Sequence, residues 1–154
     1  MTIEIRLVAP DDVPEVLRLV TSVLAEFGLE FGKGAATDEE LRHLPASYGT
    51  KGGVFWIARR DGELLGTCGI APVAPTIYEL RKMYLQPASR GLGLGTRFLE
   101  LAVDFARSRG ATHIVLDTIE QMSRAIAFYE AHGFVRDDAQ IRGARCSRGY
   151  VRVL

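Results

Sequence analysis

A strand, a glycine-rich turn and a helix run together from Tyr78 to Arg109, and this run constrains the fold more than any other part of the chain. The turn reads Arg90-Gly91-Leu92-Gly93-Leu94-Gly95-Thr96. Glycines at alternate positions let a backbone curl tightly and come close to a ligand. The helix that follows presents unpaired N–H groups and the positive end of its dipole. Together these are the properties of an anion site suited to phosphate. Arg90 stands where the turn begins, so its guanidinium can add charge-assisted bonds to oxygens already cradled by backbone amides, a pairing that suits a pyrophosphate. Short strand-to-helix loops also carry glycine for turning alone, so the reading needs support from elsewhere in the chain.

Two familiar phosphate loops fit the spelling poorly. A P-loop needs Lys and then Ser or Thr after its last glycine, whereas Gly95 is followed by Thr96 and Arg97. The dinucleotide fingerprint is closer, because Asp117 ends the next strand at about the spacing at which an acid holds a ribose hydroxyl. Its glycine spacing is wrong, however, and Gln86-Pro87-Ala88-Ser89-Arg90 separates strand from turn.

The pattern around this run reads as a mixed α/β chain. A first strand is expected near Thr2 to Leu7, then a helix opened by Pro10-Asp11-Asp12 and carrying Val13, Val16, Leu17 and Val20 at helical spacing to Glu26 or Phe27. Gly28 to Thr37 reads as a loop, and Asp38 to Tyr48 as a second helix. Val54 to Ala58 and Leu64 to Ile70 form a hairpin about Asp61-Gly62. Ile77 to Leu85 is a strand, and the helix after the glycine turn shows one apolar face of Leu94, Phe98, Leu101, Ala102 and Phe105. His113 to Thr118 is a strand that must lie parallel to Ile77–Leu85, because a helix joins them in a right-handed crossover. Ser123 suits the cap of a last helix stopping at Gly133, and two edge strands complete the chain.

A second motif, Ala125-Ile126-Ala127-Phe128-Tyr129-Glu130-Ala131-His132-Gly133-Phe134, stands about thirty residues beyond Arg90-x-x-Gly93-x-Gly95. Together, and in this order, they resemble the GCN5-related N-acetyltransferase (GNAT) superfamily, whose acetyl-coenzyme A loop reads Gln or Arg, two residues, Gly, one residue, Gly or Ala. Ile3-Glu4-Ile5-Arg6 and Ala9-Pro10-Asp11-Asp12 extend the resemblance to the N-terminus. It implies a single domain over residues 1–154, an α/β fold of the α+β type. The expected sheet is mixed, with about seven strands flanked by about four helices, its parallel central strands splayed to admit the pantetheine arm. The implied co-substrate is acetyl-coenzyme A, held by Met83, Tyr84 and Leu85 through their backbone and by Arg90, Gly91, Leu92, Gly93, Leu94, Gly95 and Thr96. Met122 stands where many members place an asparagine that bonds the pantetheine arm, so that contact is either lost or replaced by Gln121 or Ser123.

Acetyl transfer to an amine needs three things: a neutral amine, stabilised charge on the thioester oxygen, and a proton for the departing thiolate. An ammonium of pKa near ~10.4 needs a carboxylate, or a water held by one, to take its proton. Glu79 matches the strand position of a general base in some members of the superfamily; its alternative role is an ion pair with Arg81, two residues on. Alternation would put Ile77, Glu79, Arg81, Met83 and Leu85 on one face. Tyr129 matches the tyrosine that in many members gives a proton to the leaving thiolate, and its alternative role is packing beside Ala125 and Phe128. Acceptor choice in the superfamily lies in the loop between the first two helices and in the closing strands. A small-molecule primary amine attacking directly in a ternary complex is the expected reaction. A protein lysine or N-terminus, or an acyl-coenzyme A sensor without turnover, are the other readings.

Bulk properties narrow the partners. Lysine plus arginine equal aspartate plus glutamate at 19 each, so no global field draws in nucleic acid or an anionic membrane surface. No apolar stretch approaches a membrane span and no signal pattern opens the chain, so a soluble cytoplasmic protein is expected. Cys68 and Cys146 read as unpaired thiols, and His43, His113 and His132 are scattered, so no metal site is indicated. A homodimer is conceivable from the habit of the superfamily.

Overall fold

The computed structural model describes residues 2–154. Seven strands form one sheet: β1 (Glu4–Leu7), β2 (Val54–Arg60), β3 (Glu63–Ala74), β4 (Ile77–Leu85), β5 (His113–Thr118), β6 (Val135–Arg136) and β7 (Arg148–Val153). Their order is β1-β2-β3-β4-β5-β7-β6. All neighbours are antiparallel except β4 and β5, which the intervening helix forces into parallel alignment. β7 therefore lies inside the sheet and only β6, of the two closing strands, is an edge; the expectation of two edge strands fails because β7 pairs with β5 along its whole length.

Four α-helices flank the sheet: α1 (Val13–Glu26), α2 (Ala46–Gly49), α3 (Leu94–Ser108) and α4 (Ser123–Ala131). α1 buries Val16, Leu19, Val20, Val23 and Leu24, the i, i+3, i+4, i+7, i+8 stripe of an amphipathic helix. They pack with Leu41, Tyr48, Phe55 and Ile57 on one face of the sheet. α3 and α4 cover the other face, where Phe98, Ala102, Ile114, Leu116, Tyr129 and Tyr150 share a core. Each fully buried aliphatic or aromatic side chain contributes roughly 1.5–3 kcal/mol. The buried stripe of α3 is Leu94, Phe98, Leu99, Ala102, Val103 and Ala106, with Leu101 and Phe105 only partly covered at its edge. The face is thus rotated from the one expected. Ser123 is the first helical residue of α4 and not its cap, a position taken by Met122.

The segment expected as one helix over Asp38 to Tyr48 is instead a 3-10 run, Ala36–His43, followed by the single turn of α2, with the cis Leu44–Pro45 peptide between them. Proline cannot continue a helix, which divides the segment at this point. No helix among the described residues is long and apolar enough to cross a membrane.

Candidate active site

The site begins where the sheet comes apart. β4 and β5 pair only at Ile77–His113, Tyr78–Ile114 and Glu79–Val115, yet β4 continues to Leu85 and β5 to Thr118. Beyond Glu79, the β4 backbone has no strand partner on its β5 side, which leaves polar main-chain groups free for another molecule. The expected splay is therefore present. A bulge accompanies it: Thr67 pairs with Tyr84 and Gly69 with Arg81, so β4 carries one residue more than β3 over this stretch. Lys82 absorbs the extra residue with φ +53°, and the alternation of side chains slips by one. Met83 and Leu85 consequently face the α3 core with Tyr78 and Leu80, and do not share the face of Glu79 and Arg81. A strict two-residue period could not have shown this.

Two cavities open on the splay. The larger, of about 400 Å³, lies between the glycine turn and the start of α4. Met83, Tyr84, Leu85, Arg90, Gly91, Gly93, Leu94, Gly95 and Thr96 line it, whereas Leu92 turns its side chain to solvent. Gly91 and Gly93 take φ +82° and +78°, values that disfavour any side chain, and so point the turn into the first amides of α3. No side chain caps those amides, which remain available to an anion. The Arg90 guanidinium is already engaged: it donates to both carboxylate oxygens of Glu26 at 2.9 Å and to the Leu85 carbonyl at 3.0 and 3.2 Å. In this geometry Arg90 fastens the turn to α1. Arg124, which lines the cleft and has no ion-pair partner among the described residues, brings its Nη2 to 3.3 Å from the Cβ position at Gly91. Gln121, Met122 and Ser123 also line this cleft, and the Met122 sulfur accepts from the Thr118 hydroxyl at 3.7 Å.

The second cavity, of about 270 Å³, lies on the other side of the splay, between Ala35–Thr37, Glu79–Tyr84, Leu116–Ile119 and the loop before β7. It meets the first at Met83, Tyr84, Met122, Ala125 and Tyr129, which line both. Tyr129 is thus at the junction. Burial pushes its phenol well above the ordinary tyrosine range, so it stays protonated. Its ring packs edge-on to Phe128 and Phe134, at centroid distances of 5.8 and 5.7 Å. Tyr129 is thus packed among aromatic rings and also lines both cavities.

Glu79 is 5% exposed and lines the second cavity. Its Oε1 pairs with the Arg81 Nε, and its Oε2 has no hydrogen-bond donor among the described residues. The Arg142 Nη1, at 3.5 Å from Oε2, is an ion-pair neighbour without a hydrogen bond. The ion pair with Arg81 is real, and one carboxylate oxygen is left over. Arg81 is itself shared with Glu40 at 3.5 Å. Asp117 does structural work: its Oδ2 accepts the backbone N–H groups of Arg142 and Gly143 at 2.7 and 2.8 Å, tying the loop before β7 to the end of β5.

A further cluster was not legible in the sequence. Asp38, fully buried, accepts two hydrogen bonds from Arg145 at 2.8 and 3.1 Å, one from the Gly32 amide at 2.8 Å, and pairs with the Lys82 ammonium. Burial works to raise the Asp38 carboxyl, but Arg145 and Lys82 outweigh it and hold it below the ordinary range. Burial lowers Lys82, against the pull of Asp38. The acidic stretch Asp38-Glu39-Glu40 reads as a solvated face because Lys82 is 44 and Arg145 is 107 residues away. No local spacing connects such positions; the only signal was that this loop and the closing strands belong to acceptor choice.

A model of the acetyltransferase (GNAT) family matches residues 20–134. The chain is 37% identical over 131 residues to the uncharacterized N-acetyltransferase YjgM of Escherichia coli, which covers 82% of this chain and 78% of the relative. It is 37% identical over 81 residues to an IAA acetyltransferase of Azospirillum brasilense, covering 52% of this chain and 53% of that protein. In structure it is similar to an acetyltransferase of the GNAT family from Staphylococcus aureus, with a TM-score of 0.89, 23% identity and 99% of each chain covered.

Proposed function

The chain belongs to the acetyltransferase (GNAT) family, and on that premise we propose that it transfers the acetyl group of acetyl-coenzyme A directly to a primary amine of a small molecule. The observation that carries this reading is the meeting of the two cavities at Tyr129, in the gap where β4 and β5 part. The larger cavity, with its glycine turn and uncapped helix amides, suits the pyrophosphate and pantetheine of the cofactor. The smaller lies beside it and suits the acceptor, and its roughly 270 Å³ favours a small molecule over a folded protein. The name of the Azospirillum relative also points to a small-molecule acceptor.

The residues divide the chemistry as follows. Glu79 Oε2, buried and without a donor, attracts the acceptor's ammonium and takes its proton, directly or through a water. The neutral amine attacks the thioester carbonyl, whose oxygen gains charge beside the unpaired backbone of β4. The carbon–sulfur bond then breaks. Full proton transfer from a phenol raised above its ordinary value to a thiolate of pKa near ~8.5 is uphill. Tyr129 therefore serves the leaving sulfur as a hydrogen-bond donor that stabilises developing negative charge, and the proton lost from nitrogen finally balances the thiolate.

The test is release of free thiol from acetyl-coenzyme A by the purified protein against pooled amino acids, polyamines, aminoglycosides and lysine-containing peptides. Amine-dependent release with a small-molecule pool is the expected result. A flat response in every pool, with acetyl-coenzyme A bound, would overturn it in favour of a sensor.

A further inference from the structure

We propose that the acceptor is a small amino acid, its carboxylate held by Lys82 and Arg145 and its amine turned toward Glu79. This rests on the acetyltransferase reading and adds the chemical class of the acceptor. The first observation is a charge imbalance on the wall of the smaller cavity. The wall itself carries Glu79 and Asp117 against Arg81, Lys82, Arg142 and Arg145, and behind it Glu40 is shared between Arg81 and Lys51. Asp38, fully buried behind the wall, is one carboxylate between two cations, Lys82 and Arg145. Asp117, the remaining carboxylate on the wall, pairs with neither of them among the described residues and accepts from backbone amides.

Lys82 and Arg145 both line the cavity, and their side chains are only 5% and 10% exposed, so water screens the excess charge poorly. An ammonium on Lys82 also retains donors beyond the one that Asp38 takes, and these suit a carboxylate.

The second observation is the unpartnered Oε2 of Glu79 on the same wall. Excess positive charge and a free carboxylate oxygen on one cavity wall are complementary to a zwitterion. A simple amine or a polyamine would bring positive charge to a wall that already has too much. Arg81, which also lines the cavity, and Lys51 have two carboxylates between them, Glu79 and Glu40, whereas Lys82 and Arg145 share the single carboxylate of Asp38.

The experiment compares each of the twenty protein amino acids with its carboxamide and its decarboxylated amine, by thiol release and by calorimetric titration of the coenzyme A-bound protein. The expected result is that one or a few amino acids are acetylated, and that removing the carboxylate charge lowers kcat/KM by about 100-fold or more. Lys82→Met is expected to abolish that preference, mainly through KM. Asp38→Asn, which leaves both cations without a counter-ion, is expected to tighten binding of the amino acid, an opposite sign that a merely structural cluster would not give. Arg145→Lys serves as the folded control should Asp38→Asn fail to fold, and it retains the preference in weakened form.

Acetylation of uncharged amines or carboxamides as fast as amino acids would overturn the proposal while leaving the acetyltransferase reading intact. Carboxylate-dependent binding without any turnover would keep Lys82 and Arg145 as the carboxylate site but overturn both the acceptor role of the amino acid and the acetyltransferase reading. Neither binding nor turnover would overturn both.

Discussion

The glycine-turn cleft and the smaller cavity share five residues and differ in how they are built. The cleft takes its polar groups from backbone: the amides at the start of α3, the turn from Arg90 to Thr96, and the open edge of β4. One continuous stretch of chain makes most of it. The cavity takes its polar groups from side chains that come from four separate segments, with Asp38 and Arg145 joined across 107 residues. Backbone recognition tolerates change in side chains and holds one constant ligand, whereas a wall of side chains can be rewritten for each acceptor. The difference teaches that the constant and the variable halves of one reaction can be set on opposite sides of a single parted strand pair.

Substitutions on the two sides should separate catalysis from cofactor affinity. Glu79→Gln is expected to have the largest effect, lowering kcat by about 1,000-fold at saturating acetyl-coenzyme A while the Kd for coenzyme A, from calorimetry, stays within about twofold. Equal losses in both would merge the two regions into one site. Tyr129→Phe is expected to lower kcat by about 100-fold, again with little change in Kd, because the hydroxyl acts on charge that exists only in the transition state.

A third region, outside both cavities, is the control. Asp12 accepts two hydrogen bonds from Arg6, one from Arg59 and one from the Ala9 amide, and Glu15 completes a matched set of two acids and two arginines. Arg6 above all holds the Asp12 carboxyl well below the ordinary range. Its contribution is therefore present above the unfolded carboxylate value of about 3.9 and is lost as the pH falls below that. Asp12→Asn is expected to remove about 2 kcal/mol of stability at pH 7, read by urea unfolding, and to flatten the acid limb of the stability profile. It should leave kcat and Kd unchanged.

Smaller effects belong to the cleft. A Cβ at Gly93 meets nothing within 4 Å, so Gly93→Val acts through its positive φ alone. It is expected to raise the Kd for coenzyme A about tenfold, with kcat recovered at saturation. Arg90→Ala should be the mildest. Its guanidinium fastens the turn to Glu26 and Leu85, so the expected loss is about 1 kcal/mol of stability, a Tm drop of about 3 °C, and a modest rise in Kd. A rise of 100-fold would restore Arg90 as a direct ligand of the pyrophosphate.

Legibility in the sequence followed the same division. The ends of β4 and β5 and the hairpin about Asp61-Gly62 were readable because local pattern determines them. The glycine turn was readable because its backbone conformation requires glycine. The side-chain slip at Lys82 was not, since a bulge breaks the two-residue period without a mark in composition. Nor was the interior place of β7, which depends on pairing with a strand thirty residues earlier. Glu79 and Tyr129 were named from the resemblance alone, and the geometry adds what it could not: a free Oε2, and a ring at the junction of two cavities. Lys82, Arg124 and Arg145 were missed because nothing local distinguishes an arginine or lysine on a cavity wall from one in solvent.

The most direct measurement is the initial rate of thiol release from saturating acetyl-coenzyme A, with and without amino acids, for the wild-type protein and for Glu79→Gln in parallel with the Kd for coenzyme A. The expected result is release that depends on the amino acid in the wild type and falls about 1,000-fold in Glu79→Gln at an unaltered Kd. Release that is the same with and without every amine, or that survives in Glu79→Gln, would contradict the assignment of the smaller cavity to the acceptor and of Glu79 to its proton.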